Sequence, residues 1–290
     1  MTNSVSINRL CIIGVGLIGG SVARALRAAN AVGEIVGASR NQQHLDVAKK
    51  LGVVDEATTD FKSAAQDADV ILIATPLGAM PSVFMSLRNI MSDDRVITDV
   101  GSAKQCVIDQ AQEIFGKVPA GLVPAHPIAG IEKSGVEASI AELFQDRRVI
   151  LTPPEKTSPN ALNTVRNMWQ ACGAEVIEMQ AQHHDEVLAA TSHLPHMLAY
   201  ALVDTLARKD DKQEIFDYAA GGFRDFTRIA SSDPTMWHDI CVSNREELVK
   251  VLRAFNLDLH RLTEAIEQGD SEFIKATFVR AKKARDQFCG

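Results

Sequence analysis

Short apolar runs recur along the first 179 residues: 9–14 (RLCIIG), 34–38 (EIVGA), 53–57, 69–75 (DVILIAT), 95–100 (RVITDV), 122–125, 147–152 and 174–179. They are rich in Val and Ile and mostly do not alternate in polarity, which suits strands buried on both faces. Helix-like stretches separate most of them, among them one ending near Leu26 and one over 41–51. Repeated strand and helix predict an α/β domain over residues 1–179 with a parallel, doubly wound sheet. Beyond 179 the period changes. Apolar positions follow helical spacing over 180–206, 212–230, 234–267 and 271–288, which predicts an all-helical domain over 180–290.

Chemistry first enters at the end of the first run. Gly14-Val15-Gly16-Leu17-Ile18-Gly19 matches GxGxxG between a strand and a helix, with a second strand following. That context makes the α/β half a Rossmann domain for a dinucleotide. Gly14 permits the tight turn, Gly16 a close approach of the pyrophosphate, and Gly19 close packing of helix on sheet. Leu17 and Ile18 then open a helix whose free N–H groups face the phosphates. The second strand ends in Ser39-Arg40 with no acid to bind a ribose 2′-hydroxyl. Ser39 and Arg40 can instead pair with a 2′-phosphate, so NADP is the expected cofactor, with NAD usable if Arg40 only faces solvent or stacks on adenine.

Further candidates follow the next strands, where ligands of parallel sheets collect. Thr75-Pro76 and Gly101-Ser102 are expected along the cofactor crevice. His126, directly after the 122–125 run, reads either as a base titrating near neutrality or as a histidine capping a strand end. His193 and His196 lie one helical turn apart. Neither HExxH nor a carboxylate cluster accompanies them, so no metal is expected.

Composition narrows the class. The net charge of −7 invites no nucleic acid over the surface as a whole. The five cysteines are scattered and unpaired in spacing, and Cys11 sits in an apolar run as a buried small hydrophobe. The N-terminus has no signal-peptide pattern, and no apolar run approaches membrane-spanning length. A cytoplasmic protein with no membrane contact is therefore expected.

The segments GVGLIGGS, ITDVGSAK, AHPIAGIEKSGV, TSHLPH and GGFRDFTRIASSDPTMW, in this order, resemble the prephenate/arogenate (cyclohexadienyl) dehydrogenase family of tyrosine biosynthesis. The resemblance covers nearly the whole chain. It implies oxidative decarboxylation of a cyclohexadienol, with hydride leaving C4 for the nicotinamide and CO2 departing as the ring becomes aromatic. It implies that His126 is the base for the C4 hydroxyl and that Ser102 bonds that hydroxyl or orients His126 and the nicotinamide. Arg228 would clamp the ring carboxylate, the alternative being an ion pair with Asp225 or Asp233. His196, Trp237 and Gly130 would shape the substrate pocket, Trp237 otherwise being a core or interface aromatic. The family often has Thr after HPIAG where Ile131 stands here, which leaves prephenate against arogenate open. Glu132 and Lys133 read as an ionic gate or as solvated charges. The resemblance also implies a homodimer through 180–290. The competing readings are a β-hydroxyacid dehydrogenase or imine reductase on similar architecture, and a non-catalytic NADP sensor.

Overall fold

The computed structural model describes residues 7–131 and 133–289. Its first strands and helices alternate as β1 (Ile7–Ile13), α1 (Leu17–Ala28), β2 (Val32–Ala38), α2 (Gln42–Lys50), β3 (Glu56–Thr58), α3 (Phe61–Ala65), β4 (Val70–Ile73), α4 (Met80–Leu87), β5 (Val96–Asp99), α5 (Gln105–Phe115) and β6 (Leu122–Val123). These six strands form one parallel sheet in the order β3-β2-β1-β4-β5-β6. Successive residues of β1 serve opposite faces: Leu10 and Ile12 join one apolar cluster, Cys11 and Ile13 the other, and all four are fully buried. This is why the strand sequences show no polar alternation. The order reverses between β1 and β4, and that opens a crevice beyond the carboxyl ends of these two strands.

The remaining apolar runs depart from the expected single sheet. β7 (Ala125–Pro127), β8 (Arg148–Leu151) and β9 (Glu175–Glu178), with α6 (Pro159–Ala171) between the last two, make a separate three-stranded sheet. In it β7 runs antiparallel to β8. Pro124 has no N–H to donate and breaks the ladder between Val123 and Ala125. Among the described residues between β7 and β8 the one helical element is a short 3₁₀ turn, Val136–Ala138, too short for the crossover that a parallel neighbour needs. His126 thus sits on the middle residue of a short strand of its own.

The helical stretches are more broken than their periodicity predicts. α7 (Ala181–Leu188) passes through one π turn (Ala189–His193) into α8 (Leu194–Ala207). Pro195 lacks the N–H that the α ladder needs, and the wider turn accommodates the loss. The 212–230 stretch divides into α9 (Lys212–Asp217), α10 (Gly221–Thr227) and a 3₁₀ turn, Arg228–Ser231. The 234–267 stretch breaks at Asn244 into α11 (Pro234–Ser243) and α12 (Arg245–Gln268), and α13 (Ser271–Cys289) follows.

Two compact units result, one running to Arg245 and the other beginning at Glu246. The second is a helical hairpin. Gly269 turns it with φ at +68°, and the Asp270 N–H reaches back to the Ala265 carbonyl at 2.8 Å, a glycine-dependent helix stop. Leu257, Leu259, Ile266, Phe273, Phe278 and Val279 remain exposed on it. Among the described residues no helix is long and apolar enough to cross a membrane.

Candidate active site

The glycine turn follows β1 directly. Gly14 has φ at +100°, and a Cβ there would lie 2.6 Å from the Ala74 carbonyl oxygen at the end of β4. A Cβ on Gly19 would meet the Gly14 carbonyl oxygen at 2.4 Å. A Cβ on Gly16 would meet nothing within 4 Å. Gly16 also caps α1 without a side-chain bond, so the first N–H groups of the helix face open space. The cavity beyond has a volume of about 460 Å³ and is lined by Gly14, Gly16, Ser39, Arg40, His44, Thr75 and Pro76. Leu17 and Ile18, at the start of α1, pack against the core behind it. Thr75 Oγ1 is buried with no hydrogen-bond partner among the described residues. An open cradle at a helix N-terminus and an orphaned hydroxyl fit a dinucleotide's phosphates and sugar.

Past β5 the chain folds around a buried ion pair. Lys104 is fully buried, and its Nζ donates to Asp99 Oδ2 at 2.5 Å and to the Ala125 carbonyl at 2.9 Å. Asp99 also accepts from the Gly101 and Ala125 N–H groups. The pair ties the end of β5, the Gly101-Ser102 turn and the start of β7 together, and it fixes His126 at that edge.

His126 Nδ1 lies 2.8 Å from His184 Nε2, and His184 Nδ1 lies 2.8 Å from Asp185 Oδ1. Asp185 in turn accepts the Lys104 and Gln105 backbone N–H groups at 2.8 and 2.9 Å, so one carboxylate both caps α5 and holds His184. Asn244 Nδ2 donates to the Asp185 carbonyl at 2.8 Å and faces His193 Nδ1 at 3.2 Å. The ring of His193 stands edge-on to Trp237 with centroids 6.1 Å apart, and His196 stacks on Trp237 at 3.7 Å. His196 Nδ1 donates to the Ser192 carbonyl. A continuous polar and aromatic chain therefore joins His126 to His193, His196 and Trp237, through His184, Asp185 and Asn244, which sequence reasoning passed over. Trp237 is buried, and its indole N–H has no partner among the described residues.

Burial first, then the nearby His184, Lys104 and His193, push the His126 imidazole well below its ordinary value of 6.5. Burial likewise lowers His184, against the opposing pull of Asp185. His193 is pushed down to about 4, again chiefly by burial, while the Asp185 carboxylate and the Ser102 backbone favour its charged form. All three rings are neutral at physiological pH. Below about pH 6.5 the unfolded chain binds protons that the folded rings refuse, so stability falls as the pH drops through this range. The His193 shift alone, from 6.5 to about 4, corresponds to about 3 kcal/mol by pH 4. Urea midpoints are expected to stay level between about pH 7 and about pH 8 and to decline steadily below about pH 6. A midpoint rising with acidification contradicts the neutral cluster.

Other expected site residues lie around this chain. Ser102 is half-buried in the turn that follows β5. Gly130 and Ile131 are exposed beyond β7, Lys133 is exposed, and Glu132 is outside the described residues. Arg228 is exposed on the 3₁₀ turn, which packs against α8, the helix of His196. A further link runs from Asp239 of α11, whose Oδ2 accepts the Gly78 N–H at 2.9 Å just past Thr75-Pro76. It ties the helix carrying Trp237 to the loop at the nucleotide cradle. Among the described residues no His, Cys, Asp and Glu cluster could hold a metal ion.

Removing a hydride and a proton from one alcohol needs a dinucleotide cradle and a neutral base together, and the class so defined is the nicotinamide-dependent dehydrogenases. Within it, the chain belongs to the prephenate dehydrogenase family. The family's nucleotide-binding domain matches residues 22–178, and its dimerization domain matches 180–280. The chain is 39% identical over 279 residues to the cyclohexadienyl dehydrogenase of Zymomonas mobilis, covering 95% of this chain and 94% of that protein. It is 35% identical to the prephenate dehydrogenase of Bacillus subtilis, covering 96% and 75%. A crystal structure of Aquifex aeolicus prephenate dehydrogenase with hydroxyphenyl propionate and NAD+ superimposes with a TM-score of 0.91 at 37% identity, covering 99% of this chain and 100% of that one.

Proposed function

We propose that the chain catalyses oxidative decarboxylation of prephenate, arogenate or both, yielding 4-hydroxyphenylpyruvate or tyrosine. The observation that carries this reading is the buried, neutral His126, whose Nδ1 is engaged by His184 and whose Nε2 has no partner among the described residues. An acidic cyclohexadienol offers a hydroxyl proton for that nitrogen to accept. Arg228 pairs with the ring carboxylate, for which a planar guanidinium is suited. Ser102 bonds the reacting hydroxyl or orients the imidazole, and His196, Trp237 and Gly130 shape the pocket. Gly14, Gly16, Leu17, Ile18, Gly19, Thr75, Pro76 and Gly101 hold the dinucleotide, which when bound supplies the nicotinamide that takes the C4 hydride. The functional division falls at 179/180, and the exposed apolar side chains of α12 and α13 belong to a homodimer interface within 180–290.

NADP is the preferred cofactor in this reading, because Ser39 and Arg40 line the cavity at the end of β2 where no carboxylate stands. The test follows reduced-nicotinamide absorbance with prephenate and with arogenate, using NADP+ and NAD+ in turn. Turnover with at least one substrate is expected, with kcat/KM higher for NADP+, and Arg40→Ala is expected to remove that difference. A clear preference for NAD+ overturns the cofactor assignment. Cofactor binding without turnover of either substrate overturns the activity and favours a sensor.

A further inference from the structure

The catalytic base is not alone: a second buried imidazole, His184, lies 2.8 Å from His126 Nδ1. We propose that His184, anchored by Asp185, is a positioning residue that holds His126 in its Nδ1–H tautomer and receives that proton when the base is used. The inference rests on the dehydrogenase reading above for its second half, and on geometry alone for its first.

The tautomers follow link by link from Asp185. Its Oδ1 and Oδ2 accept the backbone N–H groups of Lys104 and Gln105, so the carboxylate is an acceptor toward every neighbour. The His184 nitrogen facing it, Nδ1, must therefore carry a proton. A neutral imidazole has one N–H, which leaves His184 Nε2 as a lone pair. The partner of that lone pair, His126 Nδ1 at 2.8 Å, must then be the donor. His126 Nε2 is left as the free lone pair, and this is the nitrogen a base needs. Asp185 cannot swing away, because it is 3% exposed and its own carbonyl is held by Asn244.

The same chain gives the proton somewhere to go. When the substrate hydroxyl gives up its proton, the O–H bond breaks and a His126 Nε2–H bond forms. The His126 Nδ1–H bond can then break as a His184 Nε2–H bond forms. His126 ends neutral, and the positive charge rests on His184, 2.8 Å from the Asp185 carboxylate. Once product leaves, the reverse shift and loss of the Nε2 proton to water restore the starting state. Charge on His126 itself faces Lys104 and His193 with no carboxylate bonded to it. Charge on His184 faces Lys104 too, but Asp185 and Asp99 oppose it. A charge at the second ring is thus better placed than at the first.

The test compares two variants. His184→Gln keeps a carbonyl that can accept the His126 N–H but cannot take its proton. His184→Phe can do neither. Nitrogen-15 histidine NMR of the free protein, with the His126 signals identified by their absence in His126→Asn, reads the tautomer without substrate. The wild type and His184→Gln are expected to show Nδ1–H at His126, and His184→Phe to show Nε2–H. With substrate, His184→Phe is expected to lose about 10²- to 10⁴-fold in kcat, as when a catalytic imidazole is held in the wrong tautomer. His184→Gln is expected to lose less, with the acid limb of its kcat/KM profile moved to higher pH as the neighbouring ring's repulsion is removed. Unchanged cofactor binding reports that each variant is folded. An Nε2–H tautomer at His126 in the wild type overturns the proposal, as does a His184→Phe enzyme with wild-type kcat and pH profile. A wild type that turns over no cyclohexadienol refutes the functional reading instead, and the NMR result still decides the tautomer.

Discussion

Replacing His126 by asparagine leaves the dinucleotide bound and lowers kcat by about two to four powers of ten, the usual worth of a general base. The two effects separate because the glycine cradle belongs to β1, β4 and α1, whereas His126 sits in the second sheet. Asparagine can replace the hydrogen bond to His184 but has no lone pair basic enough to take a hydroxyl proton. In the unmodified enzyme kcat/KM should rise with pH and level off at a pH below 6.5, because the base is active when neutral and its protonation lies well under its ordinary value. Steady-state rates and cofactor titration of both proteins check this. A variant retaining a tenth or more of the activity removes His126 from the role.

Lys104→Met is the most damaging substitution expected for stability. It leaves the Asp99 carboxylate buried without a cation and the Ala125 carbonyl without its side-chain donor. Breaking a buried pair by removing one partner costs about 3–5 kcal/mol, much more than an exposed pair would. The exposed Lys117–Asp93 bridge is the internal control, since solvent screens it and Lys117→Met should leave the midpoint nearly unchanged. Urea unfolding of the two variants measures the contrast. Equal midpoints would mean that Asp99 is satisfied by its Gly101 and Ala125 N–H bonds alone.

The parallel sheet and its glycine turn were legible because their signals are local. Gly14, Gly16 and Gly19 stand within six residues of each other, and each strand is a contiguous apolar run. The second sheet was not, since Pro124 splits one run into β6 and β7 and no pattern within 125–127 announces antiparallel pairing with residues 149–151. Helical periodicity identified the second half but ran over its breaks. At Asn244 the side chain serves Asp185 and His193 instead of continuing a helix, and at Pro195 the chain takes a π turn. His126 was visible from its place after a strand, and the roles of Arg228, His196 and Trp237 came only by resemblance. His184 and Asp185 had no readable signal. They sit in a polar stretch, AQHHDE, that reads like a solvated helix face, yet Asp185 finds its partners about 80 residues away, at Lys104 and Gln105. Burial of this kind is a property of tertiary packing, and no short-range pattern encodes it.

The measurement that bears most directly on the whole account is a crystal structure of the protein closed around NADP+ and 4-hydroxyphenylpyruvate or a stable analogue. His126 Nε2 is expected within hydrogen-bond distance of the phenolic oxygen, and the Arg228 guanidinium on the same face of the pocket, where the departing carboxylate stood. An imidazole or a guanidinium turned away from the bound ring would contradict it.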